Sequence, residues 1–167
     1  VPIAIIPNAG YSVVSAKLVY VSDGIPVTTN LMNAERFRMP AADVTVIVEF
    51  SANDYTLTLD ANGGKVEPAT LTVTYDAAIG TLPAPERTGY TFAGWFDAEG
   101  KEVTAETVYT VAGDSTVTAK WTANEYTVTF HANGGNALAD DEITVTYGAP
   151  YGELPKAERT GYGFIGW

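Results

Sequence analysis

The chain is organised by an internal repeat. The run RTGYTFAGW at 87–95 returns as RTGYGFIGW at 159–167, and YTLTLDANGG at 55–64 returns as YTVTFHANGG at 126–135. The period is 71 residues up to the Gly-Gly pair and 72 after it, and 23 positions of residues 54–95 are identical in the second copy. A repeat of this length indicates a small domain used as a building block, not a solenoid unit.

Within one copy the pattern predicts β-strands. Tyr55, Leu57 and Leu59 alternate with threonines, which is typical of a strand with one buried face. The strand runs into Asn62-Gly63, a dipeptide that favours a tight reversal, and a second alternating strand returns over 71–75. Further strands are predicted over 90–96, 103–111 and 116–121.

Only residues 76–82 have weakly helical composition, and Gly80 and Pro83 limit a helix there to about two turns. Two strands, a crossover and three more strands form the order of a β-grasp module. We therefore predict a mostly β chain, α+β at most, built as a linear array of small β-grasp-like modules.

The pattern divides the chain into three segments. Residues 41–50 lie one period before residues 112–121 and share their Asp and closing aromatic, although residues 1–50 lack the Asn-Gly-Gly half. We predict a divergent, N-terminally truncated first segment at 1–50, a complete second segment at 54–121 and a C-terminally truncated third segment at 125–167. The short connections predict a fairly fixed angle between them. The start without Met and the stop in mid-repeat favour a fragment of something longer.

In the first segment, Ser22-Asp23-Gly24 signals a hairpin. Val44, Val46, Val48 and Phe50 alternate, so we expect one half-buried face on the closing strand.

Composition excludes several classes of function. The chain has 9 basic against 20 acidic residues and a net charge of −11, which argues against nucleic acid or an anionic membrane surface as a partner. It has no cysteine, so a disulfide, a thiolate nucleophile and a Cys-ligated metal are impossible. It also lacks an apolar run long enough for a membrane span.

No catalytic, cofactor-binding or metal-binding residues are predicted. The single histidine, His131, takes the position of Asp60 in the other copy, which indicates a turn residue. Gly63-Gly64 lacks the helix and Lys-Ser/Thr of a phosphate loop. The acidic groups at 97–99 and 140–142 lack calcium-loop spacing, and solvated loops are the better interpretation.

Three features have alternative interpretations. Trp95 and Trp121 either pack in a core or form a sugar-stacking platform; packing is favoured because a small module without disulfides needs its aromatics inside. An exposed indole ring at either position would favour the sugar-stacking platform over core packing. Arg87 beside Glu86 suggests a clamp on the loop before the Gly-Tyr strand, with a role in register. A Lys-Asn crosslink is conceivable, but no sequence rule selects a lysine.

The motifs DANGG, TVTY, LPAPERTGYTFAGW and the closing AKW occur in order, and the first three recur in the second copy. In this they resemble the Listeria-Bacteroides repeat, the family of the internalin B-repeat. The resemblance covers 54–121 fully and 125–167 in part, and residues 37–46 resemble divergent members. It implies a β-grasp, ubiquitin-like module arranged in arrays on secreted or wall-attached bacterial proteins, with no catalytic residues to carry over.

The predicted function is a non-enzymatic repeat segment of a bacterial cell-surface or secreted protein, located outside the cell or on its wall. It would act as a stalk or spacer and in adhesion. The alternatives are a glycan- or wall-binding module and an ancillary region of an extracellular enzyme. The predicted partners are neighbouring repeats of the same chain and an unidentified host-surface protein or glycan.

Overall fold

The computed structural model describes residues 4–167, which form ten β-strands in three sheets and contain no helix. The strands are β1 (Tyr11–Ser22), β2 (Ile25–Asn30), β3 (Thr45–Ala52), β4 (Asp54–Asp60), β5 (Thr70–Thr74), β6 (Tyr90–Phe96), β7 (Glu102–Val103), β8 (Ser115–Ala123), β9 (Glu125–Thr129) and β10 (Glu142–Thr146). The first sheet has the order β2-β1-β3, the second β5-β4-β8-β6-β7 and the third β10-β9. The prediction of a mostly β chain of small modules is confirmed.

The second sheet has the strand order of a β-grasp. Counted within the segment, its strands lie in the order 2-1-5-3-4, with β4 and β8 parallel at the centre and the other pairs antiparallel. The crossover from β5 to β6 carries no helix, so the weakly helical tendency of residues 76–82 is not realised. Asp76 and Gly80 have positive φ angles of 61° and 81°, and Ala78 forms a bridge with Val108. These local geometries are incompatible with a helix.

The core of the second segment lies on one face of this sheet. Its buried members are Leu57, Leu59, Val73, Trp95, Val103, Tyr109, Val117 and Ala119. The predicted alternation in β4 therefore places its leucines inside and its threonines in solvent.

A bulge in β6 brings two aromatic residues to the same face. The pairing of β6 with β8 shifts between Phe92 and Gly94, where Gly94 has a φ of 137°. Strict alternation would put Phe92 and Trp95 on opposite faces, but the extra residue aligns them, and their ring centroids lie 5.5 Å apart.

The Asn62-Gly63 dipeptide turns the chain as expected, with φ angles of 47° and 84°, but the hairpin is wide and not tight. The ladder between β4 and β5 ends at Thr58 and Thr70, and the residues between them reach out to a bridge between Lys65 and Glu86.

The first sheet repeats the half of the second sheet formed by β7, β6 and β8. Asp23 and Gly24 form the two-residue turn of its hairpin, with φ angles of 51° and 77°, as the sequence predicts. The closing strand departs from the expectation of a single half-buried face. Val48 is half-buried, whereas Val46 and Phe50 are 42% and 49% exposed. Within the described residues β3 pairs only with β1, whereas β8 has β4 on its other side.

Within residues 4–167, the third sheet contains only β9 and β10. Residues 162–167 repeat the sequence of β6 closely but form no strand, and Trp167 is 47% exposed where Trp95 is 2% exposed. In the second segment β6 is held by pairing with β8, whereas among residues 4–167 the only bridge of residues 162–167 is the one between Tyr162 and Arg159.

Candidate functional sites at the segment junctions

A single asparagine joins each pair of neighbouring sheets. β3 ends at residue 52 and β4 begins at residue 54, so Asn53 alone separates these two strands. In the same way, Asn124 alone separates β8 from β9. The Asn53 N–H donates to the carbonyl oxygen of Gly10 at 2.8 Å, and its own carbonyl accepts from the N–H of Tyr75 at 2.9 Å. The backbone of this residue therefore connects one segment to the next.

The second junction has the same bonds. Asn124 donates to the carbonyl of Gly89 at 2.9 Å and accepts from the N–H of Tyr147 at 2.8 Å. Both junctions thus have the same main-chain geometry.

A tyrosine from the following segment packs on a glycine of the preceding one. The ring of Tyr75 covers Gly10 so closely that a Cβ there would overlap its atoms, and the ring of Tyr147 covers Gly89 in the same way. Both glycines also have positive φ, 83° and 79°, which favours glycine a second time. We call this arrangement, a Gly-Tyr pair that receives a tyrosine ring, the tyrosine socket.

The second residue of each pair forms the wall of the socket. Tyr11 meets Tyr75 edge-on at a centroid distance of 5.4 Å and 78°, and Tyr90 meets Tyr147 at 5.5 Å and 77°. Edge-to-face pairs of this kind contribute about 0.5–1.5 kcal/mol beyond the area that they bury.

Hydroxyl groups hold the side chain of each joining asparagine. Ser12 Oγ donates to Asn53 Oδ1 at 2.6 Å, and Thr91 Oγ1 donates to Asn124 Oδ1 at 2.7 Å. These side-chain bonds add to the main-chain bonds of the two asparagines, so each junction is held by polar as well as apolar contacts.

The first junction has one bond that the second lacks. Tyr11 Oη donates to Asp76 Oδ2 at 3.1 Å, and this hydrogen bond to the carboxylate raises the pKa of Tyr11 above 10.0. Gly148 takes the place of Asp76 at the second junction, so Tyr90 has no carboxylate at that position.

The arginine of the repeated motif supports the socket wall. The Arg87 guanidinium lies 3.9 Å from the ring centroid of Tyr90 and donates to the carbonyl of Asn62 at 3.1 Å. The predicted clamp therefore acts through a tyrosine ring and the turn carbonyl, while Glu86 contributes its backbone to the bridge with Lys65.

The two tryptophans do not form an exposed platform. Trp95 is 2% exposed and its Nε1 donates to the carbonyl of Pro83 at 3.0 Å. Trp121 is half-buried, packs on Phe92 at 5.7 Å and donates from Nε1 to the carbonyl of Ala61 at 3.0 Å. Both indoles are thus tied to the loops of their own segment.

The other residues considered from the sequence as possible site residues lie outside the two junctions. His131 is exposed in the turn before Asn133. Asp97 uses Oδ1 to accept from the N–H groups of Glu99 and Lys101, which is the bonding of a turn residue. Among residues 4–167, no group of three His, Cys, Asp or Glu side chains is arranged to hold a metal ion, and no helix is available to cross a membrane.

Sequence reasoning missed the tyrosine socket. Its signal was present: a Gly-Tyr pair stands at the start of β1 and β6 and recurs at 161–162, and a tyrosine follows β5 and β10 at 75 and 147. What was absent was the geometry of the one-residue linkage, which brings these distant positions together.

The structure defines a class of protein, a tandem array of small β-grasp-type modules with repeated junctions. The Listeria-Bacteroides repeat domain matches residues 55–120 and 126–167, and the divergent InlB B-repeat domain matches residues 1–54. The chain belongs to the Listeria-Bacteroides repeat family.

Relatives include two Evansella cellulosilytica proteins named "Putative membrane protein" and "Putative Gly-rich membrane protein". Each is 32% identical to the chain, over 75% and 80% of its length. Internalin H of Listeria monocytogenes is 38% identical over 53% of the chain. The chain spans 18%, 15% and 16% of the lengths of these three proteins, respectively. No solved structure matches it.

Proposed function

We propose that this chain is a non-enzymatic spacer in a bacterial cell-surface or secreted protein, and that its segments form a stiff rod. The observation that carries the proposal is the repeated junction, in which two different sequences form the same main-chain bonds and the same tyrosine socket. A flexible tether needs no such contacts, since its segments would only need to remain connected.

The proposal takes each segment, 1–50, 54–121 and 125–167, as one module. Family membership and the similarity to Internalin H support a surface location. Adhesion to a host-surface protein or glycan stays a prediction from the sequence. The buried position of Trp95 counts against the sugar-platform alternative, because stacking on a sugar requires an exposed ring face.

Spin-label distances test the stiffness. The chain has no cysteine, so label pairs can be introduced cleanly at the exposed positions Thr28 and Thr72, on the first and second sheets. We expect one narrow distance distribution in the parent chain. Gly10→Ala should broaden it, because the added Cβ displaces the ring of Tyr75.

Gly24→Ala is the matched control. Gly24 lies in the turn between β1 and β2 with a φ of 77°, close to the 83° of Gly10, but a Cβ there meets no atom within 4 Å. Both variants therefore carry similar backbone strain, about 1–2 kcal/mol. Only Gly10→Ala places a methyl group where the ring of Tyr75 lies. A broad distribution in the parent chain, or equal broadening by both variants, would overturn the proposal.

A further inference from the structure

The third segment contains a Gly-Tyr pair with the conformation of the two occupied sockets. Gly161 has a φ of 80°, and the N–H of Tyr162 donates to the carbonyl of Arg159 at 3.0 Å. The corresponding bond from Tyr90 to Arg87 measures 3.1 Å. The Arg159 guanidinium also lies 4.2 Å from the ring centroid of Tyr162, so the socket wall is supported as in the second segment.

This third socket is open. A Cβ built at Gly161 meets no atom within 4 Å, whereas one at Gly10 or Gly89 would overlap a tyrosine ring. Tyr162 is 68% exposed, while Tyr11 and Tyr90 are half-buried.

We infer that Gly161 and Tyr162 form a docking site for a tyrosine at the end of the second strand of a further module of the same type. The inference rests on the proposed function and names the partner that extends the rod. The partner chemistry is read from the two occupied sockets: a closing strand, one asparagine, and a hairpin that ends in tyrosine, as β4 and β5 end before Tyr75.

The third socket differs from the others in one respect. Gly163 stands where Ser12 and Thr91 supply a hydroxyl to the joining asparagine. A third junction would therefore be held by the tyrosine ring and the main-chain bonds, without the side-chain bond to asparagine.

Nuclear magnetic resonance tests the inference. The full chain is compared with the same chain extended after Trp167 by a second copy of residues 96–147, which supplies a closing strand, an asparagine and a tyrosine-ended hairpin. A ring that lies over a glycine shifts its Hα resonances upfield. We expect upfield Hα resonances for Gly10 and Gly89 in both chains, and for Gly161 in the extended chain alone.

Two variants of the extended chain sharpen the test. Replacing the added tyrosine, the copy of Tyr147, by Ala should return Gly161 to its unextended resonance. Gly163→Thr restores the hydroxyl and should keep or strengthen the shift. If Gly161 stays unshifted in the extended chain both with and without Gly163→Thr, the inference fails while the rod proposal stands. If Gly10 and Gly89 are also unshifted, the sockets do not exist in solution and both fail.

Discussion

Replacing Trp95 by Ala should unfold most of the second segment. Trp95 is 2% exposed at the centre of its core. Truncating a buried Trp costs about 3–5 kcal/mol, and the unpaired Pro83 carbonyl adds about 1 kcal/mol. A module of this size has a total stability of only about 3–10 kcal/mol, since domains gain roughly 0.05–0.15 kcal/mol per residue. The loss is therefore comparable to the whole.

Urea unfolding followed through the amide resonances of β4, β6 and β8 measures the effect within that segment. Trp167→Ala is the matched control, because Trp167 ends the same motif and makes the equivalent bond to Pro155 at 2.6 Å but is 47% exposed. We expect the control to leave the unfolding midpoint of the second segment unchanged. An unchanged midpoint for Trp95→Ala, together with loss of binding to a glycan array, would refute the reasoning and favour a sugar-binding role.

Three further results are expected. Amides after Asn124 should exchange faster than those of 54–121, because Tyr126, Phe164 and Trp167 are 49%, 41% and 47% exposed; equal protection would contradict this. The Tyr11–Asp76 bond should stabilise the first junction up to about pH 10 and be lost as pH rises through the raised pKa of Tyr11. In a ¹³C titration of the Tyr11 ring, Asp76→Ala should lower this pKa towards 10.0. Identical titration curves for the parent chain and the variant would count against the bond. Ester, glycoside, peptide and phosphoester substrates should not be turned over, and a rate abolished by a single substitution would show an enzyme.

Much of the second sheet could be predicted from local pattern. The alternation in β4 and β5 predicts which face of each strand is buried. The 71-residue offset between Phe50 and Trp121 predicts that β3 is the counterpart of β8 in the first segment. These features depend on residues near one another in sequence or on exact repetition.

Features set by tertiary contacts were not predictable in the same way. The bulge beside Gly94 depends on how β6 pairs with β8, and alternation alone put Phe92 and Trp95 on opposite faces. Val46 is exposed because, within the described residues, β3 has no strand on the side where β8 has β4. The residue pattern of β3 itself carries no information about that neighbouring strand.

The helix allowed at 76–82 is absent because its residues turn with positive φ and bridge to another loop, so tertiary geometry outweighs a weak propensity. The socket at Gly10 likewise requires Tyr75, 65 residues away, to be placed by the one-residue linkage at Asn53.

Residual dipolar couplings test the central claim most directly. Amide couplings from the first, second and third sheets, recorded in one alignment medium, report the orientation and order of each sheet separately. If the sockets lock the segments into a rod, one alignment tensor fits all three sheets. Three tensors of different magnitude would show segments that reorient independently, and would contradict the account.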